Sequence, residues 1–94
     1  MIYLIKTHAN NIDFIKERIT SNGWSSTMYD TVFFVDVQEE SAHEVYKRIS
    51  TEDNKPLSTI VVKLSDCEGD YYWGRATNAV WDWLKEHSGR KVSP

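Results

Sequence analysis

The segment Thr31-Val32-Phe33-Phe34-Val35-Asp36-Val37 decides the fold class, because β-branched and aromatic residues fill it and such residues favour a β-strand. A weaker strand precedes it over residues 24–29, and Asp30 is the predicted turn between the two strands. The centre of the chain therefore predicts a pair of strands joined by a tight turn.

Helical patterns flank these two strands. Ile12, Ile15 and Ile19 recur at steps of three and four, and Asn22-Gly23 supplies a left-handed stop. An Asn of the loop before this helix is a predicted cap. Ser41 and Glu44 match a capping box at the start of a second helix that runs to about residue 50. The remaining predicted elements are a first strand over residues 2–6, a fourth strand over 59–64 and a last helix over 77–87.

This order of elements predicts the α+β class, and within it a ferredoxin-like (βαββαβ) domain with an added C-terminal helix. The domain is expected to span residues 1–87, with residues 88–94 as a flexible tail. With 94 residues the chain is long enough for one core and too short for a cleft between two domains.

Charge and composition exclude several classes of function. The formal net charge of −3 disfavours unspecific coating of nucleic acid, and the single cysteine, Cys67, allows no internal disulfide. The first residues become polar too soon for a signal peptide or a membrane span, so we expect a cytoplasmic protein without a membrane partner. No metal and no cofactor is predicted.

Strand alternation predicts one sheet face that the first two helices leave open. Its apolar residues are too many to stay in contact with water, so we expect a homodimer through this face. The predicted dimer-interface residues are Leu4, Lys6, Val32, Phe34, Asp36, Val61 and Lys63.

Several short motifs resemble one known family. They are Tyr3-Leu4-Ile5, Trp24, Ser41-Ala42, Ile60-Val61-Val62-Lys63-Leu64, Trp73-Gly74 and Trp81-Asp82-Trp83-Leu84. Together they resemble the small SinR-like family, which looks related to the CRISPR-associated adaptation subunit and to the VapD ribonucleases. The resemblance implies a ferredoxin-like dimer.

The resemblance also bears on catalysis. In the adaptation-subunit relatives an Asp ends the first strand and is the proposed metal ligand of a nuclease. This chain has Lys6-Thr7-His8 at that point, and a neutral imidazole is a poor ligand for Mg²⁺. Near a dimer axis, His8 and its mate could bind a softer metal or serve in acid–base chemistry; the other interpretation of His8 is a loop histidine before a helix.

Other candidate residues carry two interpretations each. Asp36 can pair with Lys6 or Lys63 within the chain or across a dimer interface and so set the register electrostatically, or it would serve catalysis together with His8. Tyr71 and Arg75 either contact a partner or belong to a segment that packs the last helix. Because Val80, Trp83 and Leu84 share one helical stripe, Trp81 is predicted to be exposed or to contact a partner.

The function predicted from the sequence is that of a small dimeric, non-enzymatic interaction protein. It would bind a protein or nucleic-acid complex in bacterial defence, in a toxin–antitoxin unit or in phage counter-defence. The alternative is a metal-dependent nuclease, acting on RNA or DNA, with a rearranged site built from His8 and Asp36.

Overall fold

The computed structural model describes residues 1–38, 40–64 and 78–88. Its elements confirm the α+β class, and α3 includes Ser88, which the sequence assigned to the tail. In chain order they are β1 (Ile2–Lys6), a short 3-10 turn (Ala9–Asn11), α1 (Ile12–Ser21), β2 (Ser25–Tyr29), β3 (Val32–Asp36), α2 (Ala42–Arg48), β4 (Ile60–Lys63) and α3 (Asn78–Ser88).

The four strands form one antiparallel sheet in the order β2-β3-β1-β4. Residues directly opposite each other on neighbouring strands point to the same face, so the three registers define rows that cross the sheet. We call the face of Tyr3 and Ile5 the inner face and the face of Leu4 and Lys6 the outer face. The registers therefore decide which side chains lie together on each face.

The main core lies on the inner face, under α1 and α2. Sheet residues such as Tyr3 and Phe33 are fully buried there against Ile15 of α1 and Val45 of α2. Burying a side chain of this size stabilises the fold by about 1.5–3 kcal/mol relative to its exposed state. The cover on this face accounts for the alternation of buried and half-buried residues along β3.

The ends of the two helices follow local sequence signals. The Ser41 hydroxyl accepts a hydrogen bond from the Glu44 N–H at 3.1 Å, as the capping box predicts. Gly23 follows α1 with a φ of +74°, a backbone conformation that glycine adopts without strain. No helix of the described residues is long and apolar enough to span a lipid bilayer.

The expectation of an open outer face is wrong at one end, because α3 packs there. Val80 and Leu84 bury Ile2 and form a second, smaller core, against which Phe34 and Trp83 pack. The sequence predicted the apolar stripe of this helix correctly. What it did not predict is that the stripe covers the outer face of the sheet.

A polar contact holds α3 against the edge strand β2. The indole N–H of Trp83 donates to the Ser25 hydroxyl at 3.1 Å, and the Nε2 atom of His87 lies 3.1 Å from the same oxygen. The ring of His87 stacks on that of Trp83 with a centroid distance of 4.2 Å. One serine of β2 therefore contacts two side chains of α3.

The placement of Val61 and Lys63 on the outer face is also wrong. The β1–β4 register pairs Ile5 with Val61 and Tyr3 with Lys63, which puts both residues of β4 on the inner face. Val61 packs against the main core. Ile60 and Val62 point outward instead. Because side chains alternate along a strand, a register that differs by one residue exchanges the side chains of the two faces.

Replacing Trp83 by alanine should loosen α3, because the variant loses the bond to Ser25, the stacking on His87 and the packing against the second core. We expect the free energy of unfolding to fall by about 2–4 kcal/mol. Urea denaturation measures this loss. Ser25→Ala, which removes only the shared hydroxyl, should cost about 1 kcal/mol. Equal stability of Trp83→Ala and the unmodified protein would contradict this role of α3.

Candidate functional site

The outer face falls into three rows that differ in exposure. The covered row, under α3, consists of Ser25, Asp36 and Ile2; the middle row of Thr27, Phe34, Leu4 and Val62; and the end row of Tyr29, Val32, Lys6 and Ile60. Ile2 is buried, whereas Val62 is 43%, Tyr29 46% and Ile60 62% exposed. Apolar exposure thus increases with distance from α3. We call the part of this face away from α3 the open surface; it consists of the half-buried Leu4 and Val32 and the exposed Lys6, Tyr29, Ile60 and Val62.

Lys6 is the charged residue of the open surface, and its amine lies at the rim. Its ammonium group donates a hydrogen bond to the hydroxyl of Thr31, in the turn between β2 and β3. The aliphatic stem of Lys6 therefore lies along the end row between Val32 and Ile60. The middle of the open surface stays apolar.

A chain of polar contacts anchors the loop before β4. The Thr59 hydroxyl donates to the Leu57 carbonyl at 2.9 Å, so the Thr7 hydroxyl is the donor in the 2.8 Å contact with Thr59. Asn11 donates to Thr7 at 3.1 Å and to the Leu57 carbonyl at 2.8 Å. Thr7 is only 2% exposed. These bonds fix the start of β4 and, with it, the outward position of Ile60.

The Asn11 side chain thus has a role that the sequence did not predict. Asn11 occupies the N-cap position of α1, but its side chain makes no capping bond to that helix. A side-chain cap is found instead on the 3-10 turn that precedes α1, where Nδ1 of His8 accepts a hydrogen bond from the Asn10 N–H at 3.1 Å. His8 thus lies in the loop before a helix, and its role near a dimer axis stays a prediction.

The structure does not bring His8 and Asp36 together. Asp36 pairs with Ile2, at one end of β1, and His8 follows the other end. The four residue steps from Ile2 to Lys6 alone span about 13 Å at about 3.3 Å per residue. Within one chain, His8 and Asp36 therefore do not form the rearranged site that the nuclease alternative requires.

Within one chain, the same geometry separates Asp36 from both lysines of its predicted ion pairs, and a pair across a dimer interface stays a prediction. Lys6 lies opposite Val32, at the far end of β1, and Lys63 belongs to the inner face. The Asp36 carboxylate instead lies 3.3 Å from the α-amino group of Met1. Within the described residues, no group of three or more His, Cys, Asp or Glu side chains is placed to hold a metal ion.

The predicted partner-binding residues divide into two groups. Tyr71 and Arg75 lie outside the described residues, as does Cys67. Trp81 belongs to α3, but its side chain is also outside the described part of the chain. Their predicted contacts stay predictions.

The sequence did not predict that three residues belong to the open surface: Tyr29, Ile60 and Val62. Tyr29 lies in the strand that the sequence predicts as the weaker one, and the predicted outward position of Val61 and Lys63 implies an inward position for Ile60 and Val62. The alternation of Ser25, Thr27 and Tyr29 was a usable signal for β2, because small polar residues precede one aromatic residue on the same face. The run Ile60-Val61-Val62 gave no signal, since it is apolar on both faces.

Comparisons of the chain with protein-family models, with curated proteins and with solved structures find no match. The open surface combines aliphatic and aromatic side chains with one lysine at its rim. Such a surface suits binding, because apolar contact removes these side chains from water.

We expect the purified protein to leave labelled RNA and DNA uncleaved in Mg²⁺ or Mn²⁺, because His8 and Asp36 lie too far apart to share an ion. Gel electrophoresis with and without a chelator measures this. His8→Ala serves as the control for contaminating nuclease, which the substitution would not affect. Chelator-sensitive cleavage that disappears in His8→Ala would overturn the expectation.

Proposed function

We propose that the protein is a non-enzymatic interaction protein that forms a homodimer through its open surface. The observation that carries this proposal is the exposure of Ile60 (62%) and Val62 (43%). Both belong to β4, and Val61 between them packs against the main core and so fixes the strand. Exposed aliphatic side chains on a fixed strand lose contact with water when a second sheet covers them.

A second copy of the same chain suits this surface. Patches that are apolar in the middle and polar at the rim are typical of protein interfaces, and a two-fold axis lets one patch cover itself. The open surface has this distribution, with Val32, Leu4 and Val62 toward the middle and the amine of Lys6 at the rim. Asp30, which is exposed in the adjacent turn, adds a carboxylate to the same end of the sheet.

The proposal includes a finer assignment of the fold. The strand order β2-β3-β1-β4, with the chain order of helices and strands, supports a ferredoxin-like domain to which α3 is added. The resemblance to the SinR-like family favours the same dimeric protein. On this proposal the dimer binds a further protein or a nucleic-acid complex, in a defence, toxin–antitoxin or counter-defence setting.

Ile60→Asp should dissociate the dimer, because it places a charge in an apolar interface while leaving both cores intact. Light scattering after size exclusion should report twice the chain mass for the unmodified protein at micromolar concentration and the single-chain mass for the variant. The melting temperature of the isolated chain should change little, since the Ile60 side chain is already exposed.

Met28→Asp is the matched control. Met28 is similarly exposed, at 39%, but lies on the inner face opposite Phe33, at the sheet edge. The Met28 variant should remain dimeric. Phe34→Asp is less informative because Phe34 packs against the second core. A monomeric unmodified protein, or dissociation by both aspartates alike, would overturn the proposed interface.

A further inference from the structure

A groove of about 470 Å³ lies along the exposed side of α2 and the loop that follows it. This volume is within the range of about 300–1,000 Å³ that small-molecule sites occupy. The residues that carry the inference are His43, Tyr46 and Lys47 of α2, Ser50 after it, and Glu52 and Lys55 of the loop.

Tyr46 provides an apolar ring in a fixed orientation. Its hydroxyl donates to the Pro56 carbonyl at 2.8 Å, and its backbone carbonyl accepts the Ser50 hydroxyl at 2.8 Å. Pro56 is buried, and Tyr46 packs against the main core. The hydroxyl end of the ring is therefore fixed, and a ligand that stacks on it has less conformational entropy to remove.

The loop on the other side of the groove is closed by its own backbone. The Thr51 N–H donates to the Asn54 carbonyl at 2.9 Å, and the Asn54 N–H donates to the Thr51 hydroxyl at 3.0 Å. Lys55 follows this turn and lines the groove together with α2. The groove is thus bordered by a helix and by a loop that its own hydrogen bonds close.

Lysine side chains of both α2 and the following loop line the groove. His43 and Lys47 are four residues apart on α2 and so share one side of the helix, and Lys55 stands on the loop. Lys47 makes a 3.5 Å contact with Glu44, an exposed pair of a kind that contributes little stability.

The ammonium group of Lys55 holds a long 3.4 Å bond to the Glu52 carbonyl. Both lysines can therefore turn toward an anion without breaking a strong interaction. The Glu52 carboxylate, also in the lining, disfavours a ligand that carries a second anionic group.

We propose that this groove binds a small organic anion, in which a flat apolar body stacks on Tyr46 and a single carboxylate or phosphate group lies between Lys47 and Lys55. The groove borders α2, which packs on the inner face, so the site is separate from the open surface and does not rest on the homodimer. The ring supplies the apolar contact and the two ammonium groups supply charge-assisted hydrogen bonds.

Phenyl phosphate is the probe, because it combines an aromatic ring with a phosphate group. Phenol carries only the ring, and inorganic phosphate carries only the anionic group. Titration of the full chain, followed by backbone amide NMR, should show phenyl phosphate shifting the signals of α2 and residues 50–55. Its affinity should exceed that of either partial probe by at least about tenfold, which corresponds to about 1.4 kcal/mol.

Lys47→Gln and Lys55→Gln should each weaken phenyl phosphate binding several-fold, while Lys16→Gln, an exposed lysine of α1, should not. Ile60→Asp should bind the probe like the unmodified chain, which separates this site from the proposed dimer. Absent shifts, equal affinity for inorganic phosphate (an adventitious ion only), or unchanged binding in both groove variants would overturn the proposal.

Discussion

The pairing of β1 with both β3 and β4 is the constraint on which the rest of the structure depends. This central strand contributes Tyr3 and Ile5 to the main core and Ile2 to the second core, so one register serves both faces of the sheet. A slip of one residue would exchange the two sets of side chains. The contacts from Thr7 to Thr59 and Asn11 hold the end of β1 to the start of β4, where such a slip would begin.

The two faces of the sheet are covered unequally, and this difference creates the open surface. On the inner face, α1 and α2 together bury a continuous set of sheet residues. On the outer face, α3 lies over one end and reaches β2 through the Ser25 hydroxyl. The part of the outer face farthest from α3 keeps its aliphatic and aromatic side chains in contact with water, at a free-energy cost that a second surface can remove.

The open surface and the groove beside α2 have different physical characters. The open surface is broad and apolar, with its charge at the rim, and suits another folded surface. The groove is lined by one aromatic ring and by lysines of α2 and the following loop, which suits a small anion. Because α2 packs on the inner face and the open surface lies on the outer face, the sheet separates the two, and both can be occupied together.

Local patterns in the sequence determined the number, type and order of the elements, because alternation, helical spacing and capping residues act within a few residues. They placed β1, β3 and the stripe of α3 correctly for that reason. The tertiary structure alone decided three features: the face onto which α3 packs, the register of β4, and the distance between His8 and Asp36. Each depends on pairing between residues far apart in the chain. The segment Ile60-Val61-Val62 is apolar throughout, so its sequence is compatible with either register, and the pairing with β1 together with the anchored loop before β4 selects one of them.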